Sequence, residues 1–228
     1  MIEIKNLKKH YNEGKDNECK AVDGIDLVIG DGECVAITGK SGSGKTTLLK
    51  MIACLDRPTE GQVIYDGEDI FSLTKTEQAD FRNKKTGMIF QDYMLLEDMT
   101  CLDNVLLPTA FNKDKAAAKR AEELIGSVGL KEKTVEKVKN FSGGEKQRTA
   151  IASALINNPS VIIADEPTGN LDNENRETIT DMLLSINKSG KTVIIVTHDA
   201  DVAAKCRRRI VLADGKIISD TAADKAEA

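Results

Sequence analysis

The sequence predicts an α/β protein: a parallel sheet buried on both faces, an antiparallel β part near the amino end, and an inserted helical part. Three observations carry this expectation. Residues 39–47, Gly-Lys-Ser-Gly-Ser-Gly-Lys-Thr-Thr, stand between an apolar run, Cys34–Ile37, and the helix-spaced Leu48, Leu49, Met51 and Ile52. Strand, glycine-rich loop and helix in that order form the context of a phosphate-binding loop. A second apolar run, Val161–Ala164, has the character of a strand covered on both faces and ends on Asp165-Glu166. Between the two, from about 92 to 158, the pattern turns helical. One domain is expected over 1–228, with the α/β core and β part at 1–91 and 159–228 and the helical part at 92–158.

In chain order, Ile2, Ile4 and Leu7 open a strand. Asp26–Ile29 and Glu33–Thr38 flank Gly30-Asp31-Gly32, and Asp-Gly between apolar runs predicts a hairpin. Asn12–Lys20 is polar and reads as a surface loop. Gln62–Tyr65 and Asp69-Ile70 bracket Asp66-Gly67, a further hairpin. Thr74 and Glu77 have capping-box spacing and open a helix to about Arg82. Gly87–Phe90 is a strand ending at Gln91. In the helical part, Asn112 is placed to cap a helix whose Ala117, Ala121, Leu124, Ile125 and Val128 share a face, closed by Gly129. A second helix covers 145–156. Ile179, Met182, Leu183 and Ile186 then form one helix face closed by Gly190, followed by a strand at Thr192–Val196. Ile210–Ala213 and Lys216–Ile218 form a hairpin over Asp214-Gly215, and the last eight residues, polar and Ala-rich, are expected to fray.

Composition narrows the function classes. Charged residues make up 30% of the chain, mixed in sign with a net charge of −5, which argues against a nucleic-acid partner. The compact basic run, Arg207-Arg208-Arg209, reads as a solvated edge, and His10 as a surface residue. Five scattered cysteines without a CxxC, and only two histidines, predict reduced thiols in a cytosolic protein. The first residues lack a signal-peptide pattern, and no apolar stretch approaches the roughly 18 residues of a membrane span. Work at a membrane would then require another subunit to supply the spans.

The glycine-rich loop has a definite chemistry. Gly39, Gly42 and Gly44 allow positive φ, so that successive N–H groups of Lys40, Ser41, Ser43 and their neighbours converge on one point. The following helix aims its positive end there. Lys45 brings a cation to the outer phosphates, Thr46 offers its hydroxyl to Mg²⁺, and Thr47 adds a donor to an inner phosphate. In buried parallel sheets ligands bind beyond the strands' carboxyl ends, so Asp165 is placed to hold Mg²⁺ and Glu166 to act as general base on an attacking water. Ser142 and Glu145 form a capping box, yet a cap gains nothing from Gly143 and Gly144 in the first turn, where each costs about 1 kcal/mol relative to Ala. Glycines there suit a backbone that touches an anion at a helix N-terminus.

Phe141-Ser142-Gly143-Gly144-Glu145-Lys146-Gln147-Arg148 resembles the signature motif of the ATP-binding subunits of ABC transporters, with Phe141 for the usual Leu and Glu145 for the usual Gln. Further family motifs appear in family order. Gly39–Thr47 is similar to the Walker A, Gln91 to the Q-loop, Asp165-Glu166 to Walker B and its catalytic glutamate, Asn170-Leu171-Asp172 to the D-loop, and His198 to the H-loop switch. Tyr11 fits the aromatic residue that stacks on adenine. Gln91, His198 or Tyr11 alone would say little; their shared order with the rest gives them weight.

The resemblance implies a P-loop NTPase core of RecA-like type with ABC architecture, and ATP and Mg²⁺ as cofactors. It implies catalysis by Glu166, His198, Lys45 and Gln91, with Thr46, Gln91 and Asp165 at the metal. Two copies would pack head to tail, the Walker A of one facing Ser142, Gly143, Gly144 and Glu145 of the other, with Asp172 nearby. A permease subunit would hold the protein peripherally on the inner face of the cell membrane. Cys54–Gly61 and Asp165–Asp172 resemble the subgroup serving lipoprotein release, macrolide export and antimicrobial-peptide resistance. The apolar stretch Met94–Pro108 is either a docking surface for that permease or core of the helical part. Two other functions compete: a soluble ABC protein acting on DNA or ribosomes, which usually shows tandem cassettes or basic patches, and an ATP-gated scaffold, which should lack Glu166 or His198.

Overall fold

A computed structural model describes residues 1–14, 17–110 and 114–222. The chain runs β1 (Ile2–Tyr11), β2 (Cys19–Ile29), β3 (Cys34–Thr38), α1 (Lys45–Ile52), β4 (Glu60–Tyr65), β5 (Glu68–Asp69), α2 (Lys75–Lys85) and β6 (Thr86–Ile89). It continues through α3 (Cys101–Leu106), α4 (Ala117–Ser127), α5 (Gly143–Leu155), β7 (Val161–Asp165), α6 (Asn173–Lys188), β8 (Thr192–Val196), α7 (Ala200–Ala204), β9 (Arg208–Ala213) and β10 (Lys216–Ala222). One sheet is antiparallel, in the order β2-β1-β4-β5. The other has the order β10-β9-β3-β8-β7-β6 and is parallel except for β10 at its edge.

The parallel sheet separates two cores, and the two-residue period of its strands decides which side chain enters which. Val35 and Ile37, Val161 and Ile163, Ile194 and Val196 face the antiparallel sheet and α1. The alternate residues Cys34 and Ala36, Ile162 and Ala164, Val193 and Ile195 face α3 to α6. Both faces are covered, hence the unbroken apolar runs along β3, β7 and β8. The carboxyl ends of β3, β6, β7 and β8 lead directly into the glycine-rich loop, Gln91, Glu166 and His198, so the topology gathers residues far apart in the chain at one edge.

Five local expectations are corrected. Asp31-Gly32 does not make a hairpin: the turn, closed by Glu33 N–H to the Gly30 carbonyl at 3.3 Å, carries the chain from one sheet to the other. All five residues of β3 are buried, so β3 takes parallel partners, while β2 pairs with β1. The surface loop expected to end at Lys20 ends earlier, since Cys19 and Lys20 already belong to β2. Thr221 and Ala222 lie in β10 rather than in a frayed end; 223–228 lie outside the described residues. Arg208 is not a solvated cation. Its Nε and Nη2 donate to Asp220 at 2.8 and 2.6 Å, and its Nη1 donates to Glu33 at 2.9 Å and the Val28 carbonyl at 2.8 Å, clamping β9 to β10 and to the inter-sheet turn. His10 is not free at the surface; its Nε2 lies 3.3 Å from Asp23 and its side chain is 11% exposed.

Asn112, expected to cap α4, lies outside the described residues; the N-cap position of that helix is Ala116. The capping box at Thr74 and Glu77 forms, and α2 extends to Lys85. The hairpins at Asp66-Gly67 and Asp214-Gly215 also form.

Candidate active site

The glycine-rich loop curls as its composition requires. Gly39, Gly42 and Gly44 have φ of 150°, 80° and 97°. Two of them also permit close backbone approach: a Cβ on Gly39 would lie 2.2 Å from the Leu212 carbonyl oxygen, and one on Gly44 only 1.9 Å from that of Ala21. The loop is therefore wedged between β9 and β2. The Ser43 side chain is buried within it, its Oγ without a hydrogen-bond partner. The Lys45 ammonium donates to the Gly39 and Lys40 carbonyls, both at 2.9 Å, which parks the cation inside the curl with one of its three N–H donors uncommitted.

Opposite the loop, Thr46 Oγ1 donates to Asp165 Oδ1 at 3.3 Å. The Asp165 carboxyl is held above the ordinary aspartate range by burial, partly countered by the Thr46 bond and reinforced by the neighbouring Glu166. Glu166 itself sits at φ 46°, a left-handed conformation that costs a non-glycine residue of order 1–3 kcal/mol. That kink turns its side chain across to β8, where Glu166 Oε2 lies 2.9 Å from His198 Nδ1 and accepts from the His198 N–H at 3.3 Å. Gln91 Nε2 donates to Asn170 Oδ1 at 3.3 Å, and Asn170 Nδ2 returns a bond to the Gln91 carbonyl at 3.2 Å.

A cleft of about 790 Å³ joins these groups. It is lined by Gly39 to Gly42 and Gly44 to Thr47, by Tyr11, Cys19 and Ala21, and by Gln91, Glu166 and His198. Seven expected site residues do not line it: Ser43 is buried inside the loop and Asp165 meets the cleft through Thr46, while Ser142, Gly143, Gly144, Glu145 and Asp172 lie elsewhere. Ser142 caps α5 in a reciprocal box, with Glu145 N–H to Ser142 Oγ at 3.3 Å and Ser142 N–H to Glu145 Oε2 at 2.9 Å. Glu145 is further engaged by Lys133 at 2.8 Å; burial opposes its ionisation, but the Lys133 and Ser142 bonds outweigh it and hold the carboxyl below the usual range. Gly143 and Gly144 follow in the same first turn. Asp172 caps α6, accepting from Asn175 N–H at 2.8 Å.

Gly144 is explained inside one copy. A Cβ there would lie 2.0 Å from Asn175 Oδ1, so the Asn175 side chain of α6 can occupy its place only because that position has no side chain. Gly144 thus has a reason to be glycine that needs no ligand, and the helix tip itself stays exposed at Ser142.

A family model described as ABC transporter matches residues 22–169. The chain belongs to the ABC transporter family. It is 43% identical over 224 residues to the lipoprotein-releasing system ATP-binding protein LolD 1 of Caulobacter vibrioides, covering 96% of this chain and 95% of that one. It is 42% identical over 231 residues to the macrolide export ATP-binding/permease protein MacB of Hyphomonas neptunium, covering all of this chain but 36% of that protein. Among solved structures, MJ0796, titled a bacterial ABC transporter cassette in dimeric form, matches at 40% identity and a TM-score of 0.90 over 98% of this chain and 99% of that chain. A dimeric post-hydrolysis state of MJ0796 bound to ADP and Pi matches at 40% identity and a TM-score of 0.89, with the same coverage.

In this ABC ATPase cassette the structure adds two cleft residues that the motifs did not contain, Cys19 and Ala21, and gives contacts to two that they did, Gln147 and Asn170. Cys19 and Ala21 line the cleft because Tyr11 pairs directly with Cys19 across the β1–β2 ladder. Gln147, fully buried, donates from Nε2 to the Pro167 carbonyl at 2.7 Å and so ties α5 to the loop that follows Glu166. Asn170 is the partner of Gln91. Of these, only the strand register was readable from sequence in principle; the other contacts arise between elements.

Proposed function

We propose that the chain is the ATP-hydrolysing subunit of a membrane ABC complex, working as a head-to-tail dimer on a permease of the lipoprotein-release or macrolide-export kind. The observation that carries the catalytic part is the placement of Glu166. Its carboxylate is oriented by His198 at 2.9 Å, within the cleft that holds Lys45 and the glycine-rich loop. In this reading the loop N–H groups and Lys45 bind the phosphates, Glu166 takes a proton from the attacking water, and His198 keeps that carboxylate aimed. Half-buried Asp165 facing the Thr46 hydroxyl is a hard oxygen pair of the kind that binds Mg²⁺ together with phosphate oxygens, and Thr46 and Gln91 both line the cleft. The metal would supply charge stabilisation at the transferring phosphoryl group. The position of Ser142–Glu145 outside the cleft supports a second copy as the source of that helix tip.

No helix among the described residues is long and apolar enough to cross a membrane; in this reading the permease provides the attachment. The stretch Met94–Pro108 divides between the two roles expected of it. Val105 is fully buried, whereas Met94, Leu96 and Leu107 are 70%, 48% and 44% exposed. We assign the exposed set to permease docking and peripheral placement on the inner membrane face. A scaffold without hydrolysis is not favoured, since both Glu166 and His198 are present and in contact.

Glu166→Gln removes the base and keeps the shape. It should lower phosphate release about 10²- to 10⁴-fold while ATP still binds. In light scattering the same variant should double its mass on adding ATP and Mg²⁺. Hydrolysis at the wild-type rate would remove Glu166 from the role, and an unchanged mass would count against the dimer.

A further inference from the structure

Two charged groups, Asp56 and Lys9, contact Tyr11. Its hydroxyl donates to Asp56 Oδ2 at 3.0 Å. The Lys9 ammonium lies 5.1 Å from the centre of its ring. Lys9 and Asp56 are themselves joined at 2.7 Å, and the ammonium also donates to the Arg57 carbonyl at 2.7 Å. Asp56 Oδ1 accepts in addition from the Arg57 N–H at 2.8 Å, and the Asp56 N–H donates to the Lys50 carbonyl in the last turn of α1 at 3.2 Å. The Lys9 and Asp56 side chains are 15% and 29% exposed, so the pair is a held contact rather than a loose surface ion pair. Tyr11, by contrast, is 37% exposed and lines the cleft.

We infer that Lys9 and Asp56 are positioning residues that fix the Tyr11 ring as a platform for the nucleotide base. An unrestrained tyrosine at a strand end populates several χ1 wells. Binding a flat base would then have to immobilise it, at an entropic penalty. Here the hydroxyl is pinned at one end by Asp56, and Lys9 bears on the ring by a cation–π contact. The clamp is anchored to α1, the same helix whose N-terminus carries the phosphate loop, so ring and phosphate cradle move as one body. This inference rests on the reading of Tyr11 as the base-stacking residue.

The test uses calorimetric titration of the full chain with ATP and, separately, with inorganic tripolyphosphate, which has the same charge-bearing tail and no base. Asp56→Ala and Tyr11→Phe should each raise the Kd for ATP about threefold to tenfold and leave tripolyphosphate unchanged. Charge alone predicts the opposite for Asp56→Ala, because removing an anion near a polyanionic ligand favours binding. The double variant Tyr11→Phe/Asp56→Ala should be weaker than Asp56→Ala alone by less than Tyr11→Phe is weaker than the wild type, since the Tyr11–Asp56 bond is already lost with Asp56. Lys9→Met should weaken ATP more than tripolyphosphate. Retained tripolyphosphate binding shows in each case that the fold is intact. If Tyr11→Ala does not weaken ATP relative to tripolyphosphate, the base-stacking reading itself fails. If Tyr11→Ala weakens ATP but Asp56→Ala and Tyr11→Phe do not, or if both ligands weaken together, the positioning role is overturned.

Discussion

Asp165 shows how one side chain is set against the stability of its own fold. Burial raises its carboxyl pKa, the Thr46 bond lowers it by less, and Glu166 next to it raises it further. A raised carboxyl pKa means that the folded state holds the proton more tightly than the unfolded chain does. Above that pKa the ionised group therefore subtracts stability, and the loss is recovered as pH falls through it. Asp165→Asn keeps the shape and an acceptor for Thr46 but removes the half-buried charge. In the nucleotide-free protein near neutral pH it should raise stability by roughly 0.5–2 kcal/mol, seen as a higher melting temperature, while abolishing Mg²⁺-dependent hydrolysis. The gain should shrink as the pH is lowered. A lower melting temperature at neutral pH would mean that the carboxylate is structural. The strain at Glu166 belongs beside this: a non-glycine residue at φ 46° is tolerated where it turns the carboxylate onto His198.

At the scale of elements, the contact between α5 and α6 is one of the site's close supports. Gly144→Ala would push a methyl group into Asn175, which holds two oxygens of Asp172 at 3.0 Å and accepts a 3.4 Å bond from Arg148. Displacing that side chain disrupts the cap of α6, so Gly144→Ala should cost about 1–2 kcal/mol in denaturant unfolding. Adding Asn175→Ala should make room and recover part of the loss. If the double variant is no more stable than Gly144→Ala, packing is not what requires the glycine. The same contact shows where sequence reading stops. Local patterns made most elements legible: the strand ending on Asp165-Glu166, the capping boxes of α2 and α5, and the hairpins at Asp66-Gly67 and Asp214-Gly215 are written within a few residues. The Asp31-Gly32 turn misled because a turn residue fixes a change of direction, not the partner of the next strand. That choice depended on β3 being buried on both faces. Gly144 facing Asn175, Gln147 reaching Pro167 and Arg208 gripping Glu33 are likewise meetings of distant segments, which no short window of sequence contains.

Across the whole molecule, the parallel sheet delivers four strand ends to one cleft, while the tip of α5, outside that cleft, carries Ser142. Within a single copy the cleft and the helix tip are therefore apart. In a two-fold head-to-tail pair each cleft would be completed by the other copy's helix tip. This arrangement makes a prediction that a self-contained site does not. Lys45→Ala disables the cleft of its own copy, and Ser142→Arg disables the helix tip it lends to the partner; each variant alone should be inactive. When the two are mixed, a mixed pair contains one wholly disabled site and one wholly intact site, formed by the Ser142→Arg copy's cleft and the Lys45→Ala copy's helix tip. Random pairing makes about half the dimers mixed, each with one working site of two, so hydrolysis should return to about a quarter of the wild-type rate. The recovered rate should rise and fall with the mixing ratio and peak at equal amounts. No recovery at any ratio would place the reacting geometry within a single copy, and Ser142 would then be a helix cap and nothing more.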